Sequence, residues 1–346
     1  MDTPDTPQSL CLEEHLDPVL GQARHLRQSG RPAEAVQLLR EWLKLRPGTL
    51  VALEQLGQWL EADGFALEGA RYTCEAYVLR PADGQPPRMR GLAFYLLGRH
   101  AEAAQVYRDW LAREPDNPVA RHFVAAFTGQ DTPDRASPGF VQRSFDAFAP
   151  DFNQRLRQLG YRIPEQMADW LQALDPLPAQ WSVLDAGCGT GLAGPLLRPW
   201  AARLIGVDLS ARMLDEAHRC GVYDELLVAD LLPHLQGLQA CHDLIVLADT
   251  LVYFGDTAAL LAGCGQALRP GGHLILSTEL MADDETDAGA GHRLAPTGRY
   301  QHRRGEIARH LEGAGLVTVR SADLPVRLEL GQAVAGQLLL ARKPGP

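Results

Sequence analysis

Residues 181–196 read WSVLDAGCGTGLAGPL: a short apolar run closed by Asp185, a glycine-rich turn, and a second apolar run. The first run has the length of a buried strand, and the second opens a helix. Between them Gly187, Gly189 and Gly191 keep side chains away from a ligand lying over a helix N-terminus. A phosphate-cradling loop needs Lys and then Ser or Thr after its last glycine, and Leu192 and Ala193 stand there, which excludes that class. Gly189, Gly191 and Gly194 satisfy the dinucleotide spacing G-x-G-x-x-G, but the match begins past the strand end and leaves Asp185 without a task. A carboxylate at the strand end, where pyrophosphate would otherwise sit, suits a cationic ligand better.

The pattern of strand and carboxylate recurs downstream. ARLIGVDLS ends near Asp208, placed to accept hydrogen bonds from both ribose hydroxyls of an adenosine, and Met213, one helical turn on, can pack against adenine. ELLVADLL carries Asp230, suited to the exocyclic amino group of adenine. HDLIVLADTLVYF is a buried strand ending near Asp249, and ALRPGGHLILSTEL is a helix end, a Pro270-Gly271-Gly272 turn and a further strand. Acids at successive strand ends form an ordered set, far more specific than a glycine pattern.

With these residues in place, the second part of the chain resembles a class I S-adenosylmethionine-dependent methyltransferase. The resemblance implies an α/β Rossmann-like domain, a seven-stranded mostly parallel sheet with helices on both faces, ending in an antiparallel hairpin at about Gly336–Arg342. It implies S-adenosylmethionine as cofactor, with Asp185 and Gly187, Gly189 and Gly191 at its methionine end, Asp208 and Leu209 at the ribose, Met213 on the adenine face, Asp230 and the backbone of Leu231 on the adenine edge, and Ala248 and Asp249 beside the sulfonium.

Methyl transfer is an in-line displacement, so a nucleophile must be aligned and, where needed, deprotonated. Polar residues after the fourth and fifth strands are the candidates. Asp249, Tyr300 and His302 are expected at the chemistry, His302 because its ordinary pKa lies near neutrality. Tyr253, Glu279 and Arg299 are expected to contact the acceptor, Arg299 through an acidic group on it. Glycine and acid density in LMADDETDAGAGHRLAP predicts a loop that closes on the substrate.

Upstream, FVQRSFDAFAPDFNQRLRQLGYRIP sets Phe145, Phe148 and Phe152 on one helical face, a core face or a lid over the site. Before it, the turn-rich GQDTPDRASPG (residues 129–139) reads as a linker. The first third repeats with a period of 34: Gly30, Gly64 and Gly98 fall in register, as do Glu34, Glu68 and Glu102, and Pro47, Pro81 and Pro115. Each copy is a glycine turn, a helix with Ala35, Gly69 or Ala103 at the point of close helix approach, and a proline that ends it.

This resembles the tetratricopeptide repeat. The expected layout is a flexible N-terminus (1–15), three repeats and a capping helix (16–128), the linker (129–139) and the methyltransferase domain (140–346). FDAFAPDF, LGYRIP, LADTLVYFGD and GRYQH, joined to the repeats, resemble a bacterial group of repeat-containing methyltransferases. Such arrays offer a concave surface, which implies a protein or peptide partner, or self-association. The expected activity is methylation of a small-molecule or carrier- or protein-tethered acceptor; the alternatives are a protein methyltransferase whose repeats select the substrate and a scaffold that only binds the nucleotide.

The bulk composition constrains partners and compartment. A net charge of -10 opposes binding that works by neutralising phosphates, so no nucleic-acid partner is expected. The apolar runs fall short of the ~20 residues needed to cross a bilayer, and MDTPDTPQSL lacks the basic and apolar character of a secretory signal, so a cytoplasmic protein without a membrane partner is expected. The 6 cysteines lie far apart without a C-x-x-C pair, and no metal site is expected.

Overall fold

The computed structural model describes residues 7–174, 180–282 and 291–345. The chain divides into two compact units, Met1–Trp110 and Leu111–Pro346. The first is helical: α1 (Pro7–Gln28), α2 (Pro32–Leu45), α3 (Leu50–Ala62), α4 (Ala66–Leu79), α5 (Pro87–Leu96) and α6 (His100–Arg113), whose last turn runs into the second unit. The first helix begins at Pro7, inside the stretch expected to be flexible through residue 15. Helices α2, α4 and α6 start 34 residues apart, each after a glycine turn with positive φ, at Gly30, Gly64 and Gly98. Ala35 and Ala103 are fully buried, where no larger side chain would let the helices approach, and Leu39, Leu53, Leu56 and Leu60 fill this unit's core.

The second unit is a doubly wound α/β structure. Its strands are β1 (Trp181–Ala186), β2 (Ala201–Asp208), β3 (Glu225–Val228), β4 (His242–Leu247), β5 (Leu268–Leu280), β6 (His292–Leu294), β7 (Tyr300–His302), β8 (Val317–Glu329) and β9 (Gln332–Arg342). The order β3-β2-β1-β4-β5 is parallel throughout, β9 pairs antiparallel with β5, and β8 pairs with β9. Where β4 stops, at Leu276 on β5, the short β7 takes over at Glu279 and Leu280, and β6 pairs with it. Nine strands are therefore present among the described residues where seven were expected. The terminal hairpin lies where the sequence put it, and the extra pair is the β6–β7 hairpin, too short to carry a periodic signal.

Helices α7 (Pro118–Thr128), α8 (Pro138–Asp146), α9 (Phe152–Gln158), α10 (Ile163–Gln172), α11 (Gly194–Leu197), α12 (Ala211–Arg219), α13 (Leu231–Gln236), α14 (Ala258–Ala267) and α15 (Glu306–Gly313) complete the unit. Two apolar clusters, one including Leu184, Ile245, Leu274 and Leu311 and the other Val183, Leu204, Val246 and Trp170, take alternate residues of the same central strands and so sandwich the sheet. Because β2 and β4 flank β1 and the chain winds outward in both directions, a crevice opens at the carboxyl ends of β1, β2 and β4.

Residues 129–139 are not a free linker. Gly255 and Asp256 donate backbone hydrogen bonds to Asp134 O (2.7 and 3.0 Å), Ala136 N donates to Tyr253 O (2.8 Å), and Arg135 bridges to Phe254, so the segment is a strap fixed to the loop after β4. Residues 283–290, the middle of the loop expected to close on the substrate, lie outside the described residues, while Leu280 ends β5 and His292–Leu294 form β6. No helix among the described residues is long and apolar enough to cross a membrane.

Candidate active site

An open cleft lies over the carboxyl ends of β1, β2 and β4, with Asp185, Asp208 and Asp249 in its lining. At its floor Gly187, Gly189 and Gly191 all have positive φ (81°, 54° and 79°), the region that glycine occupies without penalty. A Cβ on Gly187 would stand 2.5 Å from Thr250 Oγ1, so that glycine is needed for packing. A Cβ on Gly189 would meet nothing within 4 Å and would project into the cleft, so that glycine keeps space for a ligand.

Asp185 ends β1 fully buried, and its Oδ2 accepts a 2.6 Å hydrogen bond from the Tyr223 hydroxyl. Burial pushes this carboxyl up to about 7; the Tyr223 bond opposes the shift and neighbouring Asp208 adds to it. The Tyr223 ring fills the space that side chains on Gly191, Gly194 and Gly206 would occupy, which wedges it beneath the glycine loop. Asp208 ends β2 with Oδ2 accepting from Gly189 N (3.0 Å) and Oδ1 from Ser210 N (2.8 Å), and burial raises its pKa against those bonds. Ser210 caps α12 by accepting from Met213 N and donates to Asp146 at 2.6 Å, placing Met213 in the cleft wall beside Leu209. Thr190 donates to Asn153 (2.5 Å), which ties α9 to the glycine loop.

Asp230 caps α13 through Leu232 N, and both its oxygens are held by Arg135 of the strap, at 2.7 and 2.8 Å. Its pKa is lowered: burial works against this, but the Arg135 and Leu232 bonds prevail. Leu231, Ala248 and Asp249 line the same cleft. Asp249 has a left-handed φ of 55°, a strained conformation for a residue with a side chain, held by its N–H donating to Ser277 Oγ (2.9 Å).

The far end is apolar. Phe145, Phe152, Leu156, Tyr161, Pro164 and Tyr253 line it, with Phe145 edge-on to both Phe152 (5.8 Å) and Tyr253 (5.5 Å). Two of the three aromatics on the expected face therefore line the cleft. Phe148 is absent from that lining and carries Arg155 over its ring. Arg299 enters from the β6–β7 turn, paired with Glu329 (3.1 Å), and its charge works against the rise that burial gives the Tyr253 hydroxyl pKa. Behind it Arg327, almost fully buried, bonds Glu279 (2.6 Å) and Glu329 (2.7 Å), with Nη1 at 3.7 Å from Asp249.

Three expected site residues lie elsewhere. His302 is fully buried in β7: Thr278 Oγ1 lies 2.6 Å from Nδ1, Nε2 lies 2.9 Å from Phe254 O, and burial pushes its pKa down to about 4. Both nitrogens are spent and no face reaches the cleft, so it is a core histidine and not a base. Tyr300, also fully buried, donates to Pro133 O (2.6 Å) and pins the strap. Glu279 is buried behind Arg327 and Arg299 and touches no cleft space. The sequence reading missed Arg135, Tyr223 and Tyr161. The first two act through contacts 95 and 38 residues away in the chain, which no local pattern encodes.

The site is a crevice at the switch point of a doubly wound sheet, with a buried carboxylate where a phosphate cradle would stand. Residues 159–321 match the family model described as "Methyltransferase domain". The chain is 30% identical over 206 residues to the ubiquinone biosynthesis O-methyltransferase of Xylella fastidiosa (strain M23), covering 53% of this chain and 81% of that one. It is 42% identical over 89 residues to human methyltransferase-like protein 27, spanning 25% of this chain and 36% of the human one. The crystal structure of the [4+2]-cyclase SpnF superposes with a TM-score of 0.51 at 17% identity, covering 62% of this chain and 98% of SpnF, a likeness of fold alone. The chain belongs to the class I S-adenosylmethionine-dependent methyltransferases.

The residues present fit that cofactor. The open space above Gly189 admits a ligand backbone, and the buried Asp185 and half-buried Asp208 offer anionic acceptors to an ammonium group and a diol. When bound, S-adenosylmethionine supplies an electrophilic methyl group on a sulfonium.

Proposed function

We propose that the protein transfers a methyl group to an acidic oxygen of a small, largely apolar or aromatic acceptor. The observation that carries this is the far end of the cleft, where Phe145, Phe152, Tyr161 and Tyr253 enclose a slot around the Arg299 guanidinium. Among the described residues no histidine lines the cleft, and Asp185, its near-neutral carboxyl, is taken up at the methionine end in this reading, so the acceptor end offers no near-neutral base for the proton of a weakly acidic amine or alcohol. A phenol-like hydroxyl, with an ordinary pKa of about 10, needs the least help: cationic and hydroxyl donors that stabilise its oxyanion lower that pKa, and the proton passes to solvent before the methyl is transferred. Arg299 and the Tyr253 hydroxyl hold its oxyanion, while Asp249 fixes the orientation from the end of β4. The oxygen specificity named for the Xylella fastidiosa relative supports the same reading.

In this reading Asp185, Gly187, Gly189 and Gly191 hold the methionine end, Asp208 and Leu209 the ribose, Met213, Asp230 and Leu231 the adenine, and Ala248 borders the sulfonium. The first unit is a tetratricopeptide-type array holding a protein or peptide partner, a proposal supported by the 34-residue recurrence of its helices.

The test is methyl transfer from labelled donor to a panel of small phenols, amines and thiols. Label is expected on phenolic oxygen, and Arg299→Ala is expected to lower kcat/KM by about 100-fold, the scale of a charge-assisted hydrogen bond lost with its orientation. Amine or thiol products, or undiminished transfer by Arg299→Ala, would remove the proposal.

A further inference from the structure

Arg135 stands in the strap, 95 residues before its partner, yet it lines the cofactor cleft and closes on Asp230 in a bidentate fork, Nη1 to Oδ1 at 2.7 Å and Nη2 to Oδ2 at 2.8 Å. Such a fork fixes the plane of the carboxylate as well as its charge. The third bond, from Leu232 N to Oδ1 at 3.2 Å, loads that oxygen further and leaves Oδ2 with the spare lone pair. The strap beneath Arg135 is itself held, through Asp134 O, Ala136 N and the Tyr300 hydroxyl on Pro133 O. An anchored guanidinium thus orients an acceptor oxygen at the end of β3.

The structure assigns to Arg135 the role of a specificity-determining positioning residue: it aims Asp230 so that the donor site selects a base carrying an exocyclic amino group over one carrying a carbonyl at the same place. An amino group donates to the aimed oxygen, whereas a carbonyl faces it acceptor to acceptor. This rests on the reading above that places Asp230 at the adenine edge, and is independent of the acceptor proposed there.

The experiment is calorimetry of the full-length protein with S-adenosylhomocysteine and with S-inosylhomocysteine, which differ in that one substituent and its adjoining ring proton. The wild type is expected to prefer the adenosyl ligand by about 10-fold or more. Arg135→Ala is expected to collapse that ratio by weakening the adenosyl ligand, with the inosyl ligand changed by less than about threefold, and Arg135→Lys to keep part of the preference. A merely structural role would weaken both ligands equally. Equal weakening, or an intact ratio in Arg135→Ala, would overturn the assignment. Should Arg135→Ala fail to fold, Arg135→Gln, which keeps a neutral donor of similar reach but not the two-pronged fork, decides the matter: a reduced ratio with the inosyl affinity unchanged supports the assignment, and an unchanged ratio sinks it.

Discussion

Asp185 is a buried acid whose pKa is raised to about 7, against an ordinary 3.8, chiefly by burial. The folded protein therefore binds a proton more tightly at this site than the unfolded chain, and the site costs stability as pH rises from about 4 to about 7, beyond which the cost is constant. A ligand ammonium needs the ionised form, so binding of S-adenosylhomocysteine is expected to strengthen from pH 5.5 to 7.5 with release of a proton, and Asp185→Asn to flatten that dependence. Tyr223, Asp208 and Cys188 are the polar and titratable neighbours, and of these Asp208, also raised by burial, moves affinity in the same direction. His302 shows the opposite sign. Its folded pKa of about 4 lies below the ordinary 6.5, so it favours folding above about pH 6.5 and loses that contribution as pH falls towards 4. His302→Asn is expected to lower stability by about 1–3 kcal/mol, measured by urea unfolding, while kcat of the folded fraction stays within about twofold. A large loss of kcat at unchanged stability would restore it as a base. Asp185 and Asp208 were legible because strand ends are local patterns. His302 was misread because a pKa argument made without burial favours any histidine.

At the scale of elements, the glycine loop contains two kinds of glycine that look alike in sequence. Gly187→Ala drives a methyl group into Thr250 and is expected to lower the melting temperature, whereas Gly189→Ala meets no protein atom and adds only backbone strain of roughly 1 kcal/mol. Gly189→Ala is expected to leave a folded protein whose affinity for S-adenosylhomocysteine falls by about 10-fold or more, measured by calorimetry; equal effects of the two substitutions on stability would contradict this division. The strap was misread for a related reason. GQDTPDRASPG has the composition of a loop, and it is one, but composition does not reveal that its carbonyls and Arg135 find partners on the loop after β4 and at the end of β3. Removing the Tyr300 hydroxyl, as in Tyr300→Phe, is expected to speed amide exchange across residues 131–136 and to cost about 1 kcal/mol, while the β1–β2 core stays protected.

At the scale of the whole molecule, the division of the chain into a helical part and a larger α/β part was legible from the 34-residue period and the run of acid-tipped strands. The boundary was not. It falls between Trp110 and Leu111 instead of at residues 129–139, because α7 belongs with the second unit. His122 of α7 stacks on Phe140 at 3.7 Å between ring centres and lies 2.9 Å from Gly298 O, and Phe123 packs edge-on to Phe140. An apolar helix after a repeat array reads equally well as its cap, and only these long-range partners decide where it belongs. What the second unit accomplishes depends on one arrangement, three strands converging so that Asp185, Gly189 and Asp208 face a single cleft. Calorimetric titration of the full-length protein with S-adenosylhomocysteine tests that arrangement directly. Saturable one-to-one binding is expected, weakened by about 10-fold or more in Asp208→Ala, since the substitution removes charged hydrogen-bond acceptors from a buried site. Absence of binding to the wild type, or equal affinity in Asp208→Ala, would contradict it.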